Sequence, residues 1–272
     1  MQFKKSSTSP SSRGFTLIEM IMVIIVIGVL AAGSISVLTP SLDEARFNST
    51  LEKINAIRSA MIGDPQIRNA DSRTSFGFLG DIGSIPSNAQ GIASLTAIGA
   101  LPAYAVNTTL RMGAGWNGPY LVDGQSGVSY TVDAWGNTLT YDATATPPVL
   151  KSLGKGNAVG GTGFESDIIV EIPTTLRLST VDGFISNNDG TAFSGDAEIE
   201  INYPSSGVLT SSTDTIAAID AGHFQFTNIP FGIRSLSAYK GSKAVPTATL
   251  SNILVIVDRA NILVDASQLR WP

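Results

Sequence analysis

The sequence predicts an α+β protein: a long N-terminal hydrophobic helix packed on a small antiparallel sheet, followed by an all-β sandwich. Three observations predict it. Residues 15–38 form an apolar run whose single ionisable side chain is Glu19. Residues 41–62 carry apolar positions at helical steps. Residues 173–272 break into short alternating segments separated by turn residues. Composition narrows the function classes. Charged residues are 14% of the 272, against about 25% in an average soluble domain. A net charge of -5, with no basic cluster beyond residue 13, argues against nucleic-acid binding. Cysteine is absent, which removes disulfides and thiolate metal sites. One histidine, His223, leaves any catalytic triad or multi-histidine metal site resting on a single residue.

The chain starts with a basic leader. Met1 to Arg13 holds Lys4, Lys5 and Arg13 and no acid, so the positive-inside rule keeps it cytoplasmic and sends the rest outward. The 24 residues from Phe15 to Leu38 would span roughly 36 Å as a helix, enough for a ~30 Å hydrocarbon core. No small-residue cleavage site of the secretory type follows the run. Glu19 is costly inside lipid and needs a partner there.

Arg13-Gly14-Phe15-Thr16-Leu17-Ile18-Glu19 resembles the leader junction of type IV prepilins and pseudopilins. The resemblance implies cleavage between Gly14 and Phe15 by prepilin peptidase, N-methylation of Phe15, and retention of the helix. It also implies an assembly role for Glu19, whose carboxylate would pair with the new Phe15 amine of a neighbouring subunit. Gly28 matches a position where the family helix loosens in filaments. The family's usual proline falls on Ser36, and here the proline is displaced to Pro40.

After Pro40, Leu42, Leu51, Ile54, Ile57, Met61 and Ile62 repeat at helical steps. Ser41 and Glu44 form a capping-box pattern, which predicts a second helical half. Gly63-Asp64-Pro65 predicts its end. Residues 66–130 are rich in Gly, Pro and Ser, with a short helix expected from about Ser87 to Ile98. The glycines of Phe76 to Leu95 lack the Gly-Lys-Ser/Thr of a phosphate loop, so they read as loop packing.

The order of Gly118-Pro119-Tyr120, then Asp133-Ala134-Trp135-Gly136-Asn137, then Ser152-Leu153-Gly154 and Gly160-Gly161 to Asp167 is similar to the major pseudopilin of type II secretion. The resemblance runs from Phe15 to about Ile172. In that family the last loop binds Ca²⁺, and the resemblance carries its ligand positions onto Leu153 (by its carbonyl), Asn157, Glu165 and Asp167. The family's first Asp falls on Gly156, so one carboxylate is missing. Ca²⁺ wants six to eight oxygens. Glu165 and Asp167 lie on one side of an extended segment. Two readings stay open: a Ca²⁺ site, or a glycine-rich loop with solvated acids.

One hundred residues follow Ile172. Segments at 176–186, 197–204, 214–220, 223–229, 233–240, 249–257 and 261–267 read as strands of a sandwich. Val181-Asp182-Gly183-Phe184-Ile185 and Gly222-His223-Phe224-Gln225-Phe226, with Pro230-Phe231-Gly232, resemble a carboxypeptidase-regulatory-like module. Such modules are non-catalytic spacers or binding platforms. Relatives with a Lys–Asn isopeptide bond use a first-strand Lys, and here that strand offers Arg177. His223 alternates with core positions Phe224 and Phe226 and should face away from the core.

The domain plan is a leader at 1–14, a transmembrane and stalk helix at 15–62, a pilin-like part at 63–172 and a sandwich at 173–272. The resemblance implies a structural filament subunit of a type II secretion pseudopilus rather than an enzyme. Its partners would be prepilin peptidase, other pilin or pseudopilin subunits and an inner-membrane assembly platform. The expected location is the bacterial inner membrane, single-pass, with the C-terminal parts periplasmic or in a filament. Apart from Ca²⁺ no cofactor is expected. The alternative is a type IV pilus subunit with an adhesive or tip sandwich.

Overall fold

The computed structural model describes residues 14–122, 129–264 and 269–271. The expected leader, up to residue 13, and the end of the last expected strand, 265–267, lie outside them. The chain divides into two compact units between Arg46 and Phe47.

Helix α1 runs Leu17–Ile62 and contains Pro40. Proline costs the helix one N–H bond at that point. Ser41 and Glu44 lie inside α1, so the expected second helix start is not formed. No orphan N–H groups arise there for a capping box to satisfy. Every described side chain from Leu17 to Leu30 is exposed. Among the described residues no helix is long and apolar enough to cross a membrane.

The helix stops at the expected glycine. Gly63 has φ +78° and its N–H donates to the Ser59 carbonyl at 2.6 Å. A Cβ there would fall 2.2 Å from the Ser75 carbonyl oxygen. In the second unit the helix buries Ile54, Ile57 and Met61 completely, about 1.5–3 kcal/mol each.

Strands β1 (Arg68–Asn69) and β2 (Ser72–Arg73) form a small hairpin. Helix α2, Gly77–Ile82, lies where a loop was expected and buries Phe78, Leu79 and Ile82. The expected helix over 87–98 is replaced by a turn and a 3₁₀ segment, Ile92–Leu95. Two local features account for this. The Ser87 N–H donates to Gln90 Oε1 at 2.8 Å and the Gln90 N–H donates to Ser87 Oγ at 3.3 Å, closing a turn. Gly91 then takes φ +57°. Strands β3 (Ala105–Asn107) and β4 (Met112–Ala114) pair antiparallel. Strands β5 (Thr140–Asp142), β6 (Val149–Ser152) and β7 (Ile168–Glu171) form a three-stranded antiparallel sheet.

Among the described residues seven strands follow: β8 (Leu178–Phe184), β9 (Ala197–Ser205), β10 (Val208–Ile216), β11 (His223–Pro230), β12 (Gly232–Lys240), β13 (Ala248–Val257) and β14 (Asn261–Leu263). One sheet has the order β10-β9-β12-β13 and the other β11-β8-β14, with β14 parallel to β8. Five of the seven expected segments coincide with strands, and the described part of a sixth, 261–267, opens with β14. The exception is 214–220: its start is the end of β10, and Ala218–Asp220 is a 3₁₀ turn. The first half of β10 is Ser/Thr-rich and lies at a sheet edge, so it lacks the apolar alternation that betrays a strand. Phe224 and Phe226 are buried. His223 faces away, with its ring 5.0 Å from that of Phe184 and Nε2 3.4 Å from Asp182.

The second unit is knit across residue 172 by buried polar groups. Arg234 is 1% exposed. Its guanidinium donates to the carbonyls of Pro230 at 2.9 Å, Ile233 at 3.0 Å, Gly80 at 3.3 Å and Phe231. Burial pulls its pKa down, and the charge of Asp81 works against that. At a second seam the Arg73 N–H donates to Asp258 Oδ2 at 3.2 Å, and Arg68 and Arg259 lie at 3.5 and 2.8 Å from the same carboxylate. At a third, Gly83 passes so close to β9 that a Cβ would fall 1.8 Å from the Pro204 carbonyl oxygen.

Candidate functional site

Two places hold the residues singled out by sequence: the start of α1, and the loop between β6 and β7.

Gly14 and Phe15 precede the helix in non-helical backbone. Nothing lies within 4 Å of a Cβ built on Gly14, and Phe15 is 76% exposed. Both residues are therefore exposed. Glu19 is exposed at the first turn. Its N–H donates to Thr16 Oγ1 at 3.3 Å, and the Thr16 N–H donates to its Oε2 at 3.5 Å. This is a reciprocal capping box. The carboxylate also lies where the helix dipole favours an anion. Thr-x-x-Glu before an apolar run is the sequence signal for it, unread above because Glu19 was considered only as a partner for another chain. Glu19 shares a shallow apolar groove with Met22, Val23, Val26 and Ile27, which follow at helical steps.

The second place is held by a buried acid. Asp133 is 3% exposed. Its Oδ1 accepts the N–H groups of Trp135 at 2.9 Å and Asn137 at 2.8 Å, and its Oδ2 accepts the Ser152 hydroxyl at 2.6 Å. Asn137 then donates from Nδ2 to the Gly154 carbonyl at 2.7 Å. The turn is fixed to α1: Ala134 N–H donates to Thr50 Oγ1 at 3.0 Å and Lys53 Nζ to the Val132 carbonyl at 2.6 Å. The resemblance supplied this motif without a reason. The reason is that it couples the helix to the loop.

In the loop, Leu153 is half-buried, Asn157 and Glu165 are exposed, and Asp167 is half-buried. Asn157 adopts φ +47°. Asp167 Oδ2 is 2.7 Å from Lys151 Nζ, and its Oδ1 accepts the Gly160 N–H at 3.3 Å. Among the described residues no group of three or more His, Cys, Asp or Glu side chains is arranged to hold a metal. Of the four residues, Asp167 is thus already engaged by the Lys151 ammonium. Lys151 was missed by sequence reading. The signal was strand register, which needs both strands at once.

Comparison with known proteins adds two matches. Residues 9–35 match the prokaryotic N-terminal methylation motif. Residues 76–171 match type II secretion system protein G. No curated protein and no solved structure matches. The first match contains Gly14, Phe15 and Glu19; the second contains α2, the Asp133 turn and the β6–β7 loop. Neither reaches the seven C-terminal strands. Over these two stretches the chain is thus similar to type IV pilin-like proteins and to protein G of type II secretion, and beyond them it carries a further C-terminal β module.

Proposed function

We propose that this chain is a structural subunit of a type IV-like filament, a type II secretion pseudopilin, and not an enzyme. Prepilin peptidase cuts between Gly14 and Phe15, and Phe15 is N-methylated. The apolar run, which in sequence extends to Leu38, anchors the subunit in the inner membrane as a single span with its C-terminal parts outside the cytoplasm. Extracted by the assembly platform, the helices bundle with those of other subunits. Glu19 then pairs with the Phe15 amine of a neighbour. The observation that carries this reading is an exposed Gly14-Phe15 pair directly before an apolar run, 15–38, whose one acid, Glu19, sits at the first turn of the helix. An exposed surface of that size calls for lipid or partner helices.

A second reading is favoured by the C-terminal module. The two sheets would form a sandwich carried outside the filament, and a type IV pilus subunit could use it as an adhesive or tip domain. Microscopy of purified filaments with mass spectrometry of the subunit tests the main reading. Cleavage after Gly14, a methyl group on Phe15 and incorporation into filaments are expected. An uncleaved monomer would overturn it. Loss of secreted cargo on deletion separates the secretion reading from loss of adhesion.

A further inference from the structure

We propose that the Lys151 ammonium is the resident cation of the β6–β7 loop, so that the loop keeps its shape without Ca²⁺. The pairing of β6 with β7 sets Lys151 opposite Ile169. Asp167, two residues before Ile169, is then the diagonal neighbour of Lys151 on the same face. Nζ and Oδ2 meet at 2.7 Å with the side chains only 23% and 14% exposed. The other carboxylate oxygen takes the Gly160 N–H from the far arm of the loop. One acid thus joins a strand-borne positive charge to the loop backbone, the bridging job a carboxylate does at a metal.

Two further backbone groups of the loop are satisfied from within the chain. The Gly154 carbonyl is taken by Asn137, and the Lys155 N–H donates to the Phe164 carbonyl at 2.8 Å. Gly161, at φ +94°, passes so near Glu165 that a Cβ would fall 2.5 Å from its carbonyl oxygen. A divalent ion approaching Asp167 would meet a like charge already at contact distance, in a partly shielded place where repulsion is strong. A tethered ammonium has no dissociation constant to satisfy. This inference stands independently of the filament reading.

Thermal melts of the detergent-solubilised full chain test it. Wild type should melt at the same temperature in millimolar CaCl₂ and in EGTA. Lys151→Met and Asp167→Asn should each lower the midpoint, by about 2–4 °C. The double variant should fall no further than either single one, because both remove one interaction. Lys151→Arg should keep most of the stability. A Ca²⁺-dependent rise in wild type that disappears in Asp167→Asn would overturn the proposal, as would additive losses in the double variant. Should Lys151→Met fail to fold, calorimetric titration of wild type with CaCl₂ decides: saturable heat overturns the proposal, and none supports it.

Discussion

Glu19 stands where a helix start meets an apolar surface, and it has a task on its own chain before any neighbour arrives. The capping box with Thr16 and the proposed pairing with a neighbour's amine use the same carboxylate. Two substitutions separate them. Glu19→Gln can still accept the Thr16 N–H, since glutamine serves in capping boxes, but it carries no charge. Glu19→Ala loses both. Both variants should be cleaved normally and both should assemble poorly, as read by filament yield. Wild-type yield from Glu19→Gln would sink the charge-pairing idea. Asp133 makes a different kind of single-residue claim. Its two oxygens satisfy three donors in a site almost closed to water. Asp133→Ala should cost roughly 2–4 kcal/mol, since each abandoned buried donor carries a ~1–3 kcal/mol penalty. Urea denaturation checks this, and a loss below about 1 kcal/mol would mean that the turn is held by something else. The legibility of these residues follows their range. Gly14, Phe15 and Glu19 were legible because their pattern is contained in a few consecutive positions. The pairing of Lys151 with Asp167 was hidden because it depends on which strands pair and in what register.

Elements follow the same rule. The end of α1 could be read because Gly63 needs only its own φ to stop a helix. Helix α2 could not, because six residues give too few turns for a period to emerge. The strands from β8 onward could be read by alternation, except where β10 exchanges apolar residues for Ser and Thr at an edge. What no local pattern announces is how the β1–β2 hairpin reaches Asp258, the residue after β13, which bonds Arg73 across 185 residues of sequence. That clasp should be sensitive to acid. Burial raises the Asp258 pKa, but the Arg259 side-chain bond, the Arg73 N–H and the nearby arginine charges outweigh it, and the net direction is down. An acid whose folded pKa is depressed contributes stability above its unfolded value, near 4, and loses it as pH falls through the lower folded value. Wild type should therefore be more stable than Asp258→Asn at neutral pH, and their unfolding midpoints should converge below about pH 4. A gap that is constant with pH would show that the carboxylate's charge is not what matters.

In the whole molecule, the sequence boundary at Ile172 is crossed by contacts on which both sides depend. Residues 47–272 form one compact unit. Removing the chain after Ile172 would strip Arg234 from the Gly80 carbonyl, Asp258 from Arg73 and β9 from Gly83. A chain truncated there should lose cooperative unfolding in calorimetry; a sharp, wild-type-like transition from that truncation would mean the first part folds alone. Arg234→Met probes the same seam without deleting anything. It leaves several buried carbonyls without their donor and should cost roughly 3 kcal/mol or more. Limited proteolysis of the folded protein should likewise spare the segment around Ile172, which is itself fully buried.

The near contact of Gly83 with the Pro204 carbonyl bears on ancestry. A loosely tethered module can be shuffled between genes as a cassette, because it asks nothing of its host. This one asks for a glycine at 83 and an accepting carbonyl at Gly80, both on the far side of the join. Grafting residues 173–272 onto another protein would transplant only half of a fitted pair. A homologue carrying any side chain at the equivalent of Gly83 should therefore be found with a different module or with none.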